Sequence, residues 1–127
     1  MLFRSPDNVL FAGEALTGII DPYFACDGLL AYDLAVAMNA FAREHPGGHD
    51  EARAHALRAG YEAVRGLTPA EAAGLPTLRR GAALRFFLTR AEDARRRAAS
   101  DLVKVKNPLP YLVLARHQGR EREGGER

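Results

Sequence analysis
The chain has 127 residues, 47% hydrophobic and 27% charged, with 18 basic against 16 acidic side chains and a net charge of +2. That length suits one domain or a piece of a larger one, and the apolar fraction excludes a wholly disordered chain. No apolar run approaches the roughly 18 residues of a membrane span, and Cys26, the single cysteine, excludes a disulfide framework and a Cys-based zinc site, so a cytoplasmic location is expected.

Residues 8–12 (Asn-Val-Leu-Phe-Ala) and 16–20 (Leu-Thr-Gly-Ile-Ile) are short runs of β-formers separated by Gly13-Glu14-Ala15, the pattern of a β-hairpin. With the turn centred on Glu14-Ala15, Val9 faces Ile20 and Asn8 faces Asp21, so an amide and a carboxylate meet at the open end. From Gly28 to about Arg43 the period turns helical, with Leu30, Leu34, Met38 and Phe41 on one stripe and Asp27 as the expected N-cap. His45-Pro46-Gly47-Gly48 stops that helix. A second helix is expected from Asp50 to about Arg65, with Leu57, Tyr61 and Val64 on one face.

Thr68-Pro69-Ala70-Glu71 is a capping box with Pro at the first helical position. Pro76 is expected to open a further helix to about Ala99, with Leu84, Phe87, Leu88 and Ala91 inward. Asn107-Pro108 starts a last helix to about His117 carrying Leu109, Leu112 and Val113, and residues 118–127, without an apolar side chain, read as a disordered tail. The fold class is thus α+β and mainly helical: a hairpin, then about five helices. Basic and acidic residues are interleaved, as in Glu92-Asp93 before Arg95-Arg96-Arg97. This reads as a solvated helix face, and neither nucleic acid nor membrane is expected as a partner.

Asn8 and Asp21 are two oxygen donors, the ligand type that a hard cation such as Mg²⁺ takes together with phosphate oxygens. An Asn and an Asp flanking a hairpin also serve as simple turn caps. The neighbouring letters favour the first reading. Pro6-Asp7-Asn8-Val9-Leu10-Phe11, then Gly18-Ile19-Ile20-Asp21, then Tyr32-Asp33-Leu34-Ala35 resembles the C-terminal lobe of kinase-like small-molecule phosphotransferases, the group of aminoglycoside and choline kinases. Finer matches lie in Asp21-Pro22-Tyr23-Phe24-Ala25-Cys26, in Gly60-Tyr61-Glu62-Ala63-Val64-Arg65, in residues 80–86 and in Pro108-Leu109-Pro110-Tyr111-Leu112. These are similar to the homoserine kinases built on that fold, and the resemblance runs from Pro6 to about His117.

The resemblance implies that Asn8 and Asp21 hold Mg²⁺ on ATP, that Asp33 braces the catalytic loop, and that the substrate is L-homoserine, phosphorylated on its hydroxyl in threonine biosynthesis. Tyr23, Asp27 and Arg85 are candidates for the amino-acid pocket, with core packing, helix capping and a solvent-facing Arg as the plain alternatives. Pro22 stands where the family has Phe. The family's catalytic aspartate lies five positions before the Asn, but that position here is Phe3. Met1 to Ser5 do not align, which reads as a reading frame cut at this point with five foreign residues, the N-terminal lobe being absent. The chain alone is therefore expected neither to turn over ATP nor to bind it tightly, and the apolar surface left uncovered is expected to favour self-association. Two alternatives stay open: a lobe acting on another small alcohol, and a non-catalytic helical interaction module.

Overall fold
The computed structural model describes residues 6–21, 27–42, 49–97 and 106–125. A short 3-10 turn, Pro6–Asn8, leads into strands β1 (Val9–Ala12) and β2 (Ala15–Ile19), followed by helices α1 (Leu30–Phe41), α2 (Glu51–Val64), α3 (Pro69–Arg97) and α4 (Leu109–Gly125). The strands are antiparallel, and Gly13, at φ 61, opens the two-residue turn between them, a conformation in which glycine carries no Cβ penalty.

The expected register is corrected. Ala12 pairs with Ala15 and Phe11 with Leu16, a bulge follows, and Leu10 then pairs with Gly18 and Val9 with Ile19. Val9 therefore faces Ile19 rather than Ile20. The turn is one residue earlier than expected because Gly13, not Ala15, tolerates the positive φ. Thr17 is the extra residue of the bulge, and its hydroxyl donates to the Leu10 carbonyl at 3.2 Å.

Helix α1 is buried on most sides and packs against both α2 and α3, while α3 packs against α1 and α4. One apolar cluster joins Leu34, Ala35, Met38, Ala42, Ala54 and Leu75, with Leu57, Tyr61, Leu67 and Leu78 around it. A second joins Ala83, Tyr111, Leu114 and Ala115 with Phe86 and Phe87. Helix α3, about 43 Å long at 1.5 Å per residue, spans the two.

Local start signals act as expected at two places. Asp50 caps α2, accepting from the Arg53 N–H at 3.0 Å. In the Thr68 capping box the Glu71 N–H donates to the Thr68 hydroxyl (3.2 Å) and the Thr68 N–H to the Glu71 carboxylate (2.8 Å). Asp27, in contrast, does not cap α1; Leu29 occupies the N-cap without a side-chain bond. Pro76 opens no new helix but sits inside α3. It is exposed and leaves the Ala72 carbonyl without its helical donor, while Leu75 and Leu78 near it pack into the core cluster of a helix that stays continuous.

Several apolar residues expected inward face solvent: Val64 is 91% exposed and Leu88 62%, with Leu30, Leu84, Leu109 and Val113 also exposed. Phe87 does lie inward as expected, and the α3–α4 seam sets it with Ala83 and Phe86 against Tyr111, Leu114 and Ala115. Small residues there let the helices approach, and Tyr111 stacks on Phe86 at 5.1 Å. Helix α4 runs past His117 to Gly125, so residues 118–125 are helix rather than tail. The buried Gln118 accounts for the first turn of that extension. Its amide donates to Asn39 at 2.9 Å.

Asn39 is buried on α1, and its Nδ2 donates to the Arg79 carbonyl at 2.7 Å. Arg79 reaches onward to both Glu51 oxygens at 3.3 and 3.1 Å and to His49 Nε2 at 2.6 Å. Burial pushes the Glu51 carboxyl up, but the Arg79 hydrogen bond and charge outweigh it and hold the group below its ordinary value. Its contribution is thus present above the ordinary carboxylate range and lost as pH falls through the lowered value. Unfolding measured from pH 7 downward is expected to show a steeper loss of stability in the wild-type chain than in Glu51→Gln. Asn39→Ala, which strands the Gln118 amide and a backbone carbonyl, is expected to cost about 2–3 kcal/mol in chemical denaturation.

Candidate metal and substrate site
At the open end of the hairpin the Ile20 N–H donates to the Asn8 carbonyl at 2.9 Å. Asn8 therefore stands opposite Ile20, not opposite Asp21 as the sequence predicts, and Asp21 follows one residue on. In a continuing strand, successive side chains point to opposite faces. Asp21 leaves that path: its φ is 60, the one positive value among the described non-glycine residues. Asp and Asn tolerate this region better than other side chains, at some cost in strain. Asn8 is half-buried and Asp21 exposed. The two residues thus stand at one rim of the hairpin, and an amide with a carboxylate is a donor type that fits a hard cation retaining water or phosphate ligands.

Among the described residues no group of three His, Cys, Asp or Glu side chains converges as a metal cage. A pair alone fits a cation shared with a nucleotide, where phosphate supplies the remaining oxygens.

The other expected residues distribute as follows. Asp33 lies in the first turn of α1, half-buried, with Oδ1 shielded from solvent. Arg85 on α3 is half-buried rather than solvent-facing, its Nη1 lying 3.4 Å from the Tyr32 hydroxyl of α1 and its guanidinium 6.0 Å from the Phe86 ring centre. Arg85 and the Tyr32-Asp33 pair are thus brought to one α1–α3 junction. Asp27 is exposed on the bend before α1. Tyr23, with Pro22 and Cys26, lies outside the described residues.

Sequence reading missed two participants. Lys106 donates to the Asp7 carboxylate, linking the segment before α4 to the residue beside Asn8, and no local pattern marks a pair 99 positions apart. Tyr32 was legible only as a neighbour of Asp33. The Arg95-Arg96 pair is exposed and bonded to Glu92, whose carboxyl those hydrogen bonds hold down to about 2. It is the solvated face expected.

Residues 5–67 match the family model described as "Phosphotransferase enzyme family". The chain is 53% identical over 114 residues to the homoserine kinase of Xanthobacter autotrophicus, covering 89% of this chain and 36% of that protein. It is 55% identical over 106 residues to that of Phenylobacterium zucineum (84% and 33%) and 50% identical over 111 residues to that of Sinorhizobium fredii (87% and 34%). The chain thus spans about a third of the length of the curated relatives it matches.

The strained backbone at Asp21 makes a specific prediction. Asp21→Gly is expected to leave the unfolding midpoint unchanged or slightly raised, whereas Asp21→Ala lowers stability by about 1 kcal/mol, read by thermal denaturation. On its sequence, the chain belongs to the phosphotransferase enzyme family.

Proposed function
We propose that this chain is the metal-holding portion of an ATP- and Mg²⁺-dependent homoserine kinase, with Asn8 and Asp21 as protein ligands and the L-homoserine hydroxyl as phosphoryl acceptor. One observation carries the reading: the 2.9 Å bond from Ile20 N–H to the Asn8 carbonyl puts an amide and a left-handed aspartate at the same hairpin rim. The homoserine kinases at 50–55% identity support the substrate class.

Bound there, Mg²⁺ would neutralise charge on the transferring phosphoryl group. The chain's own contribution is positional. The Asn8 amide oxygen and the Asp21 carboxylate would hold the ion, with Asn8 anchored to Ile20, the residue before Asp21, by the hairpin ladder. Asp33 braces the loop that precedes Asn8. Arg85, a planar fork at the α1–α3 junction, suits the substrate carboxylate, and Tyr23 and Asp27 remain the sequence candidates for binding the amino acid. The aspartate that would take the hydroxyl proton has no counterpart five positions before Asn8, where Phe3 stands. The residues around Asn8 thus do not supply that base, and turnover requires one from another part of the kinase.

None of the hairpin residues is buried, and Phe11 and Leu16 are 60% and 57% exposed. Such a surface fits one covered by the rest of a longer kinase, and in the isolated chain it favours self-association. No described helix is long and apolar enough to cross a membrane, and we infer a cytoplasmic setting, where ATP is supplied.

The test is a chimera joining the N-terminal portion of the Xanthobacter relative to this chain. Asn8→Ala and Asp21→Gly are each expected to lower homoserine-dependent ADP release by at least about 100-fold in kcat/KM. Turnover that survives both substitutions rejects the metal role, and turnover with choline or an aminoglycoside in place of homoserine rejects the substrate.

A further inference from the structure
We propose that Lys106 is a positioning residue for the metal-bearing end of the hairpin: its ammonium holds the Asp7 carboxylate, and with it the 3-10 turn that ends in Asn8. The proposal rests on the reading of Asn8 and Asp21 as the metal pair and goes beyond it, because Lys106 lies at the opposite end of the sequence.

The argument begins with what the turn lacks. Neither Pro6–Asn8 nor the two strands contain a buried residue, so apolar packing does little to fix where Asn8 sits. The ladder sets Asn8 relative to Ile20, but it does not set that end of the hairpin relative to the helices. The Lys106–Asp7 pair does, joining residues 99 apart.

Lys106 is itself presented from a firm base. Asn107, next in the chain, caps α4 by accepting from the Leu109 N–H at 3.0 Å, and its carbonyl accepts from Arg90 of α3 at 3.3 Å. The Arg90 guanidinium lies 4.6 Å from the ring centre of the buried Tyr111, which stacks on Phe86. A chain of contacts thus runs from the α3–α4 seam through Asn107 and Lys106 to Asp7, and then to Asn8.

Both partners of the ion pair are exposed. An exposed pair adds little to global stability and is screened by salt. Its effect is expected locally, in how often Asn8 occupies the position that Asp21 complements. Asp7 is also kept from competing for the cation, because its carboxylate is engaged by an ammonium.

The experiment uses the full chain, labelled with ¹⁵N, and two readouts. One is hydrogen exchange at the Ile20 amide, which donates to Asn8; the other is Mn²⁺ broadening of the Asn8 and Asp21 signals. Lys106→Ala and Asp7→Ala are each expected to speed Ile20 exchange and weaken the Mn²⁺ response about three- to tenfold, leaving the core amides of α1 unchanged. The double variant is expected to be no worse than either single one, and Lys106→Arg to restore both readouts.

Unchanged Ile20 exchange in the two alanine variants overturns the proposal, as does an equal acceleration at the α1 core amides. Broadening that is lost in Asp21→Gly but untouched in Lys106→Ala overturns the positioning role alone. Mn²⁺ broadening that reaches neither Asn8 nor Asp21 in the chimeric kinase saturated with ADP, where phosphate supplies the remaining oxygens, overturns the metal reading itself, and the role of Lys106 with it.

Discussion
One buried amide sets the relation of three helices. Asn39, on α1, gives its Nδ2 to the backbone of α3 and receives the Gln118 amide of α4 on its Oδ1. The two apolar clusters do not share a residue, so nondirectional burial alone would leave their mutual placement loosely specified. Hydrogen bonds supply the direction that burial lacks, and a buried amide that misses its partners is costly. With that register set, the Tyr32-Asp33 end of α1, Arg85 of α3 and the start of α4 keep fixed positions relative to one another.

The hairpin stands outside this body and obeys different physics. It has no buried residue, and its geometry follows from the ladder, from Gly13 at the turn and from the bulge at Thr17. The bulge matters for the site, because one extra residue in β2 shifts everything beyond it. Without the bulge the pairing of Phe11 with Leu16 would continue to Asn8 opposite Ile19; with it, Asn8 meets Ile20 and Asp21 stands at the rim. The positive φ at Asp21 then takes the backbone out of the strand path directly after that rim.

Much of this was legible in the sequence, and the failures have distinct causes. The hairpin, the helix start at Asp50 and the Thr68 box were legible because each is decided within four residues. The phosphotransferase motifs marked Asn8 and Asp21, by letter and order, as the candidate metal pair. The register was misread because the choice between turn centres depends on which residue bears a positive φ, and the bulge has no local signature. Pro76 was read as a helix start because the rule concerns the isolated segment, whereas Leu75 and Leu78 are packed from outside it. On α3 Phe87 was placed inward correctly, but Leu84 and Leu88 were misassigned because they outrank Ala83 in hydrophobicity, whereas close approach to α4 selects the smaller side chain. Long-range polar ties, Asn39 with Gln118 and Lys106 with Asp7, are written nowhere in local pattern.

The most direct test of the central claim is the anomalous scattering of Mn²⁺ in crystals of the chimeric kinase with ADP. The account predicts a peak within coordination distance of both the Asn8 amide oxygen and the Asp21 carboxylate. A peak held by other side chains, with Asn8 or Asp21 remote from it, would contradict the account.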